Sequence, residues 1–293
     1  MGSATYSRGS DPCQSLAPIL GLGAVLEPLA HPKPGAVTRL YGQADKDILD
    51  FAVHSAAINS ALLASCSASA SGSPDPIAEG LRAYRLALRA LNIAKNVGLG
   101  QALMLIPLAA ALPRVAPAPS EVAREATRIA MLSTQAASAE YYALLRMLGP
   151  SHLGRYRGPL PDVSEGEPGV GLGELLRSVR WDLVASEVTG NYPLTLRAVE
   201  ALREETGAWD AKVARALALV LSAAGDTLIA RKWGLRAYLA SRAEVLVHSR
   251  LRGPLGAMEA LDGAWRPRGW SPGSSLDVVA AAVGLYLVST ARL

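Results

Sequence analysis

The sequence predicts an all-α fold. Alanine and leucine dominate the composition, and apolar residues recur at spacings of three and four. Segments that alternate polar with β-branched residues are hard to find. The expected architecture is one compact helical domain over 11–293, of about nine or ten helices with no significant sheet, behind a flexible N-terminus at 1–10.

The elements follow in order. A first helix near 12–30 is punctuated by Pro18 and Pro28. The turn His31-Pro32-Lys33-Pro34-Gly35 comes next; its prolines fix the backbone and Gly35 admits a positive φ. A long helix starts with Asp45 or Asp47 near its N-terminus and runs through Ile48, Phe51 and Ile58. Residues 65–76, rich in Ser, Gly and Pro, read as a loop, and Pro76 opens the next helix. Asn92, Asn96, Gly98 and Gly100 interrupt the pattern before a buried helix that ends near Leu112. Ser120 is placed to cap a long helix to about Leu148. The stretch 149–173 is the longest irregular one and reads as a functional loop. Further helices are expected at 172–189, 193–206, 208–224 and 226–249, with a last one from Ser275. There, Ser274 with Asp277 resembles a capping box.

Composition excludes several classes. Half of the 293 residues are apolar and 18% are charged, which excludes disorder for the bulk of the chain. The bases do not cluster, so the net charge of +4 points to no nucleic-acid partner. Cys13 and Cys66 are too few for a disulfide framework or a zinc site. His31, His54, His152 and His248 show no metal spacing. The apolar run 97–112 is short for a bilayer and carries Gln101 and Pro107. No secretory pattern opens the chain, and the expectation is a cytoplasmic protein without a membrane partner or redox cofactor. The last apolar helix packs either in the core or across a homodimer interface.

One imbalance is informative. The chain has 24 arginines but only five lysines: Lys33, Lys46, Lys95, Lys212 and Lys232. Three polar turns hold three of them. The 31–35 turn presents Lys33 with exposed backbone groups, a combination suited to phosphate, or is an ordinary proline turn. The turn Asn92–Gly98 aims backbone N–H groups at an anion, or simply starts a helix. In the third, Asp226 either caps the next helix or holds Mg²⁺ or a proton, with Arg231 and Lys232 one turn on. Asp182, Glu187 and Asp226 together make a candidate carboxylate cluster.

Taken in order, six segments carry a resemblance: HPKPGAVTRL (31–40), DFAVHSAAI (50–58), KNVGLGQALMLIPLA (95–109), WDLVASEVTGNYPLTLRAVEALREETG (181–207), GDTLIARKWGL (225–235) and SPGSSLDVVAAAVGLYL (271–287). The chain resembles the triphosphoribosyl-dephospho-CoA synthases, more closely their archaeal branch. That resemblance implies a helical enzyme that uses ATP and dephospho-CoA and releases adenine. The 2′-hydroxyl of dephospho-CoA would attack C1′ of the ATP ribose. Charge then develops on an oxocarbenium-like ribose, the hydroxyl needs a base, and the triphosphate needs cations.

The resemblance assigns phosphate contacts to Lys33, Lys95, Arg231 and Lys232, and Mg²⁺ or acid–base work to Asp226 and Glu187. His31 and Gly35 belong to the first turn, and Asn96, Gly98 and Gly273 would shape backbone contacts. The bacterial pattern has Gly-Ala-His and then Asp-Met after the first turn. Here YGQADKDILDF lacks the His, and Asp45, Asp47 or Asp50 stands in for the acid, with Asp47 the catalytic candidate. Ser271 replaces the usual Asn before Pro272-Gly273. The partners implied are ATP, with Mg²⁺, and a nucleotide-like second substrate, dephospho-CoA or another. The alternatives are a glycohydrolase or phosphoribosyl transferase on the same scaffold, and a non-catalytic helical interaction protein.

Overall fold

Thirteen α-helices and no strand make up the residues described by the computed structural model, which are 11–149, 158 and 160–291. The N-terminus at 1–10 and part of the 149–173 segment, with His152, lie outside the described residues. The all-α expectation holds, with more helices than expected because long periodic stretches are broken by local caps.

Leu22 separates α1 (Pro12–Gly21) from α2 (Gly23–Leu29). Asp47 caps α3 (Ile48–Ala70), which runs through the first half of the stretch read as a loop. The reason is packing against α5 (Leu99–Ala111). The Ser65 and Ser69 hydroxyls donate to the Ile106 and Ala110 carbonyls of that helix at 3.2 and 2.6 Å. Serine is poor in an exposed helix, but here its hydroxyl is satisfied across an interface. Asp75 caps α4 (Pro76–Ala90), with Pro76 in its first turn as expected.

Ser120 is not a cap. The cap residue of α6 (Pro119–Met131) is Ala118, and the chain breaks before α7 (Gln135–Leu148), capped by Thr134. The Thr134 amide and hydroxyl both donate to Asp75 Oδ2, at 2.8 and 2.7 Å, which fixes the break against the start of α4. The expected helix 172–189 is likewise two, α8 (Leu172–Ser178) and α9 (Leu183–Thr189), because Asp182 caps the second. After α10 (Pro193–Glu204) and α11 (Trp209–Ala224), α12 (Thr227–Arg268) extends well beyond residue 249. It is broken at Gly234 and Gly253, whose φ values of 82° and 71° are open to glycine.

The last helix, α13 (Gly273–Thr290), packs against α1, α2, α5, α9, α10 and α11. Its cap residue, Pro272, makes no side-chain bond, so the expected Ser274–Asp277 capping box does not form. By length and composition alone, α3 and α13 could each cross a membrane. In this fold, α13 packs at the buried centre of the bundle, which accounts for its apolar sequence. The two cysteines are paired: Cys13 of α1 and Cys66 of α3 form a buried disulfide. Two cysteines make no framework, but packing of α1 on α3 brings their Cα atoms to 5.5 Å, within bridging reach.

Candidate active site

The starts of α5, α9, α12 and α13 surround a cleft of about 460 Å³. An apolar wall of Tyr141, Leu145 and Leu148 closes one side; these positions share one face of α7. Lys46, Lys95, Arg231 and Lys232 line the cleft with Asp45, Asp182 and Asp277. Three of the five lysines therefore meet here. Lys95 donates to the Asp45 carbonyl and to Asp50 Oδ2, at 3.0 and 2.7 Å. Arg231 lies 3.2 Å from Asp182 Oδ2. Burial pushes the Lys46 ammonium below its usual pKa, opposed mainly by Asp45.

Helix α5 begins at Gly98, which has no side chain to cap it. Asn96 Oδ1 accepts from the Leu99 amide at 3.1 Å. Among the described residues, the amides of Gly98, Gly100 and Ser274 have no acceptor, and all three residues line the cleft. Such amides, with the positive helix ends behind them, favour an anion. Gly98 and Gly100 are also needed sterically. A Cβ on Gly98 would lie 2.3 Å from His54 Nε2, and one on Gly100 would lie 1.9 Å from Asp277 Oδ2.

Asp277 is the only charged side chain of α13. No donor among the described residues reaches its carboxylate. Burial raises its pKa well above the ordinary value, helped by the nearby carboxylates of Glu27, Asp226 and Asp182, while Lys46 acts the other way. Behind the cleft is a buried polar chain. Tyr84 Oη and His54 Nδ1 are 3.2 Å apart, and Gln101 Nε2 donates to Glu27 Oε2 at 3.3 Å. Burial lowers the His54 pKa to about 4, so the ring is neutral at pH 7.

Several expected site residues serve the fold instead. Lys33 is 1% exposed, and its ammonium pairs with Glu27 Oε1 at 2.5 Å, so it is closed to phosphate. The His31 amide donates to Asp210 at 3.0 Å, and the Gly35 amide to Asp262 at 2.9 Å. Ser271 Oγ accepts from Gln43 at 2.8 Å. None of these four lines the cleft. Asp47 is the exposed cap of α3.

Glu187 accepts from the Leu194 and Thr195 amides and the Thr195 hydroxyl, at 3.0, 2.8 and 2.7 Å, and so caps α10 from outside. Asp226 accepts from Ile229 at 2.9 Å and from Ser275 at 2.8 Å, which ties the starts of α12 and α13 together. Burial raises both of these pKa values and the hydrogen bonds oppose it. Each oxygen of the two carboxylates accepts at least one hydrogen bond that fixes a helix start, and neither residue lines the cleft. Lys95, Asn96, Gly98, Arg231, Lys232 and Gly273 do come together in the cleft. Lys46, Tyr141 and Asp277 also line it, and the motifs of the sequence do not place them there. The scarcity of lysine marks the first, and a lone acid in an apolar helix marks the last.

The profile of the CitG family, described as ATP:dephospho-CoA triphosphoribosyl transferase, matches residues 13–292. The chain belongs to this family. It is therefore a transferase that moves the triphosphoribosyl group of ATP to dephospho-CoA. Among solved structures, it is similar to a candidate triphosphoribosyl-dephospho-CoA synthase from Archaeoglobus fulgidus, at 19% identity and a TM-score of 0.62. That match covers 84% of this chain and 100% of the other, and at this identity it bears on the fold alone. A search of the curated proteins finds no match.

Proposed function

We propose that the transfer takes place in this cleft, with Asp277 accepting the proton of the attacking hydroxyl. The single observation behind this is the convergence of three rare lysines and three unpaired amides around one carboxylate without a donor. The triphosphate of ATP rests on Lys46, Lys95, Lys232 and the amides of Gly98, Gly100 and Ser274. Adenine lies against Tyr141, Leu145 and Leu148. Burial raises the Tyr141 pKa, so its hydroxyl stays protonated and serves as a donor to a ring nitrogen.

The acceptor hydroxyl gives its proton to Asp277 as the C1′–O bond forms and the C1′–N9 bond breaks. The electron pair leaves with adenine, which takes up a proton, and Asp277 returns its own to solvent. The raised pKa makes Asp277 a stronger base than an ordinary carboxylate once ionised. The cations stabilise the triphosphate while the ribose becomes oxocarbenium-like.

Mg²⁺ fits this site as a companion of the nucleotide. Among the described residues, no three His, Cys, Asp or Glu side chains form a cage. Mg²⁺ commonly uses one or two carboxylates together with phosphate oxygens. Asp45, the exposed acid of the cleft, would take that part. When bound, the ion would neutralise phosphate charge. Use of ATP supports a cytoplasmic setting, and the absence of the bacterial Gly-Ala-His histidine supports an archaeal-type member.

Incubation with Mg-ATP, with and without dephospho-CoA, followed by chromatography, tests the reading. Adenine released in step with dephospho-CoA is expected. Release from ATP alone would make the chain a glycohydrolase, and no release in either case would overturn the proposal.

A further inference from the structure

We propose that Trp181 is a stacking platform for the nucleobase of the acceptor nucleotide, a subsite on the rim of the cleft. The inference rests on the transfer reading above and extends it to the second substrate.

Trp181 lies in the turn between α8 and α9 and is 61% exposed. Exposed apolar side chains are common on this chain, but Trp181 differs from the others in being coupled to a cleft cation and in offering an aromatic face beside a polar cleft. Its neighbour in sequence, Asp182, lines the cleft and pairs with Arg231. The Arg231 guanidinium lies over the Trp181 ring, 5.8 Å from its centroid. One face of the indole is thus held by a cleft residue, and the rest of the ring is open.

The acceptor calls for a subsite of its own. A cleft of about 460 Å³ suits one nucleotide. The reaction needs two, and the acceptor has only to bring a ribose hydroxyl to Asp277. Its base and the remainder then have the rim to lie on. An exposed aromatic ring backed by a guanidinium is the surface that takes a nucleobase without reading its edges. Arg231, held by Asp182 and half-exposed, stands beside the same position for the acceptor's phosphates.

The test is calorimetric titration of dephospho-CoA and, separately, ATP into the full chain and its Trp181→Ala and Trp181→Phe variants, with melting curves for each. For Trp181→Ala, the expected result is a roughly tenfold to hundredfold weaker Kd for dephospho-CoA. Trp181→Phe should recover part of it, with the ATP Kd and melting temperature unchanged. An unchanged dephospho-CoA Kd overturns the proposal. So does a weaker ATP Kd alone, which would assign the ring to the donor. Adenine release by the unaltered protein tests the transfer separately, so the two failures are distinguishable.

Discussion

The cleft and the packed layer behind it contain the same ingredients, carboxylates beside helix starts, and use them in opposite ways. Behind the cleft, Asp226 has two amide donors and Glu187 has two amides and a hydroxyl. In the cleft, Asp277 has no donor among the described residues, and three amides nearby lack an acceptor. The difference teaches that residue type does not decide a carboxylate's work. What decides it is whether the fold has already satisfied both oxygens.

The strongest way to break this contrast is Asp277→Asn. We expect turnover to fall on the order of a thousandfold, within the usual range for loss of a general base. Stability should move in the other direction. The unfolded carboxyl loses its proton near its ordinary pKa, and the folded one only at higher pH. Between those values the unfolded state binds fewer protons, so native stability falls as pH rises. The Asn variant lacks that loss and should melt higher at pH 7. A lower melting temperature would assign Asp277 to the packed layer.

Asp226→Ala probes the opposite region. Removing a buried acceptor from two helix starts should cost about 2–4 kcal/mol in denaturant unfolding. ATP affinity, measured under conditions where the variant remains folded, should change little. Loss of turnover at undiminished stability would return Asp226 to the chemistry.

Lys46→Met is the finest of the three. Loss of one phosphate-facing cation should raise the KM for ATP by about tenfold. It also removes a charge that lowers the Asp277 pKa, so the acidic limb of the pH–rate profile should move to higher pH. A changed KM with an unmoved limb would separate Lys46 from Asp277.

Much of this was legible in the sequence, for identifiable reasons. Periodicity and composition carry the helical class, and Asp75-Pro76 carries a helix start that the structure keeps. The rare lysines lead to the cleft, but Lys33 turns inward while Lys46 turns out. That choice depends on Glu27, which waits on α2 to pair with Lys33. Sequence spacing cannot register it, because it arises when helices pack. Ser65 and Ser69 teach the same lesson: they read as loop residues until their hydroxyls find the carbonyls of α5. Asp226 caps α12 through Ile229, one of the two roles its spacing allows, but its second donor, Ser275, sits 49 residues away, and Glu187 accepts from Thr195 8 residues on. Only tertiary structure joins Asp226 to Ser275.

The Cys13–Cys66 bridge has one more consequence. It closes residues 13–66 into a covalent ring, and Lys46, with the turn that presents it, is part of that ring. A protease cutting the chain anywhere inside the ring would release no fragment until a reductant was added. This cleft lysine is thus secured to the bundle twice over, by packing and by topology.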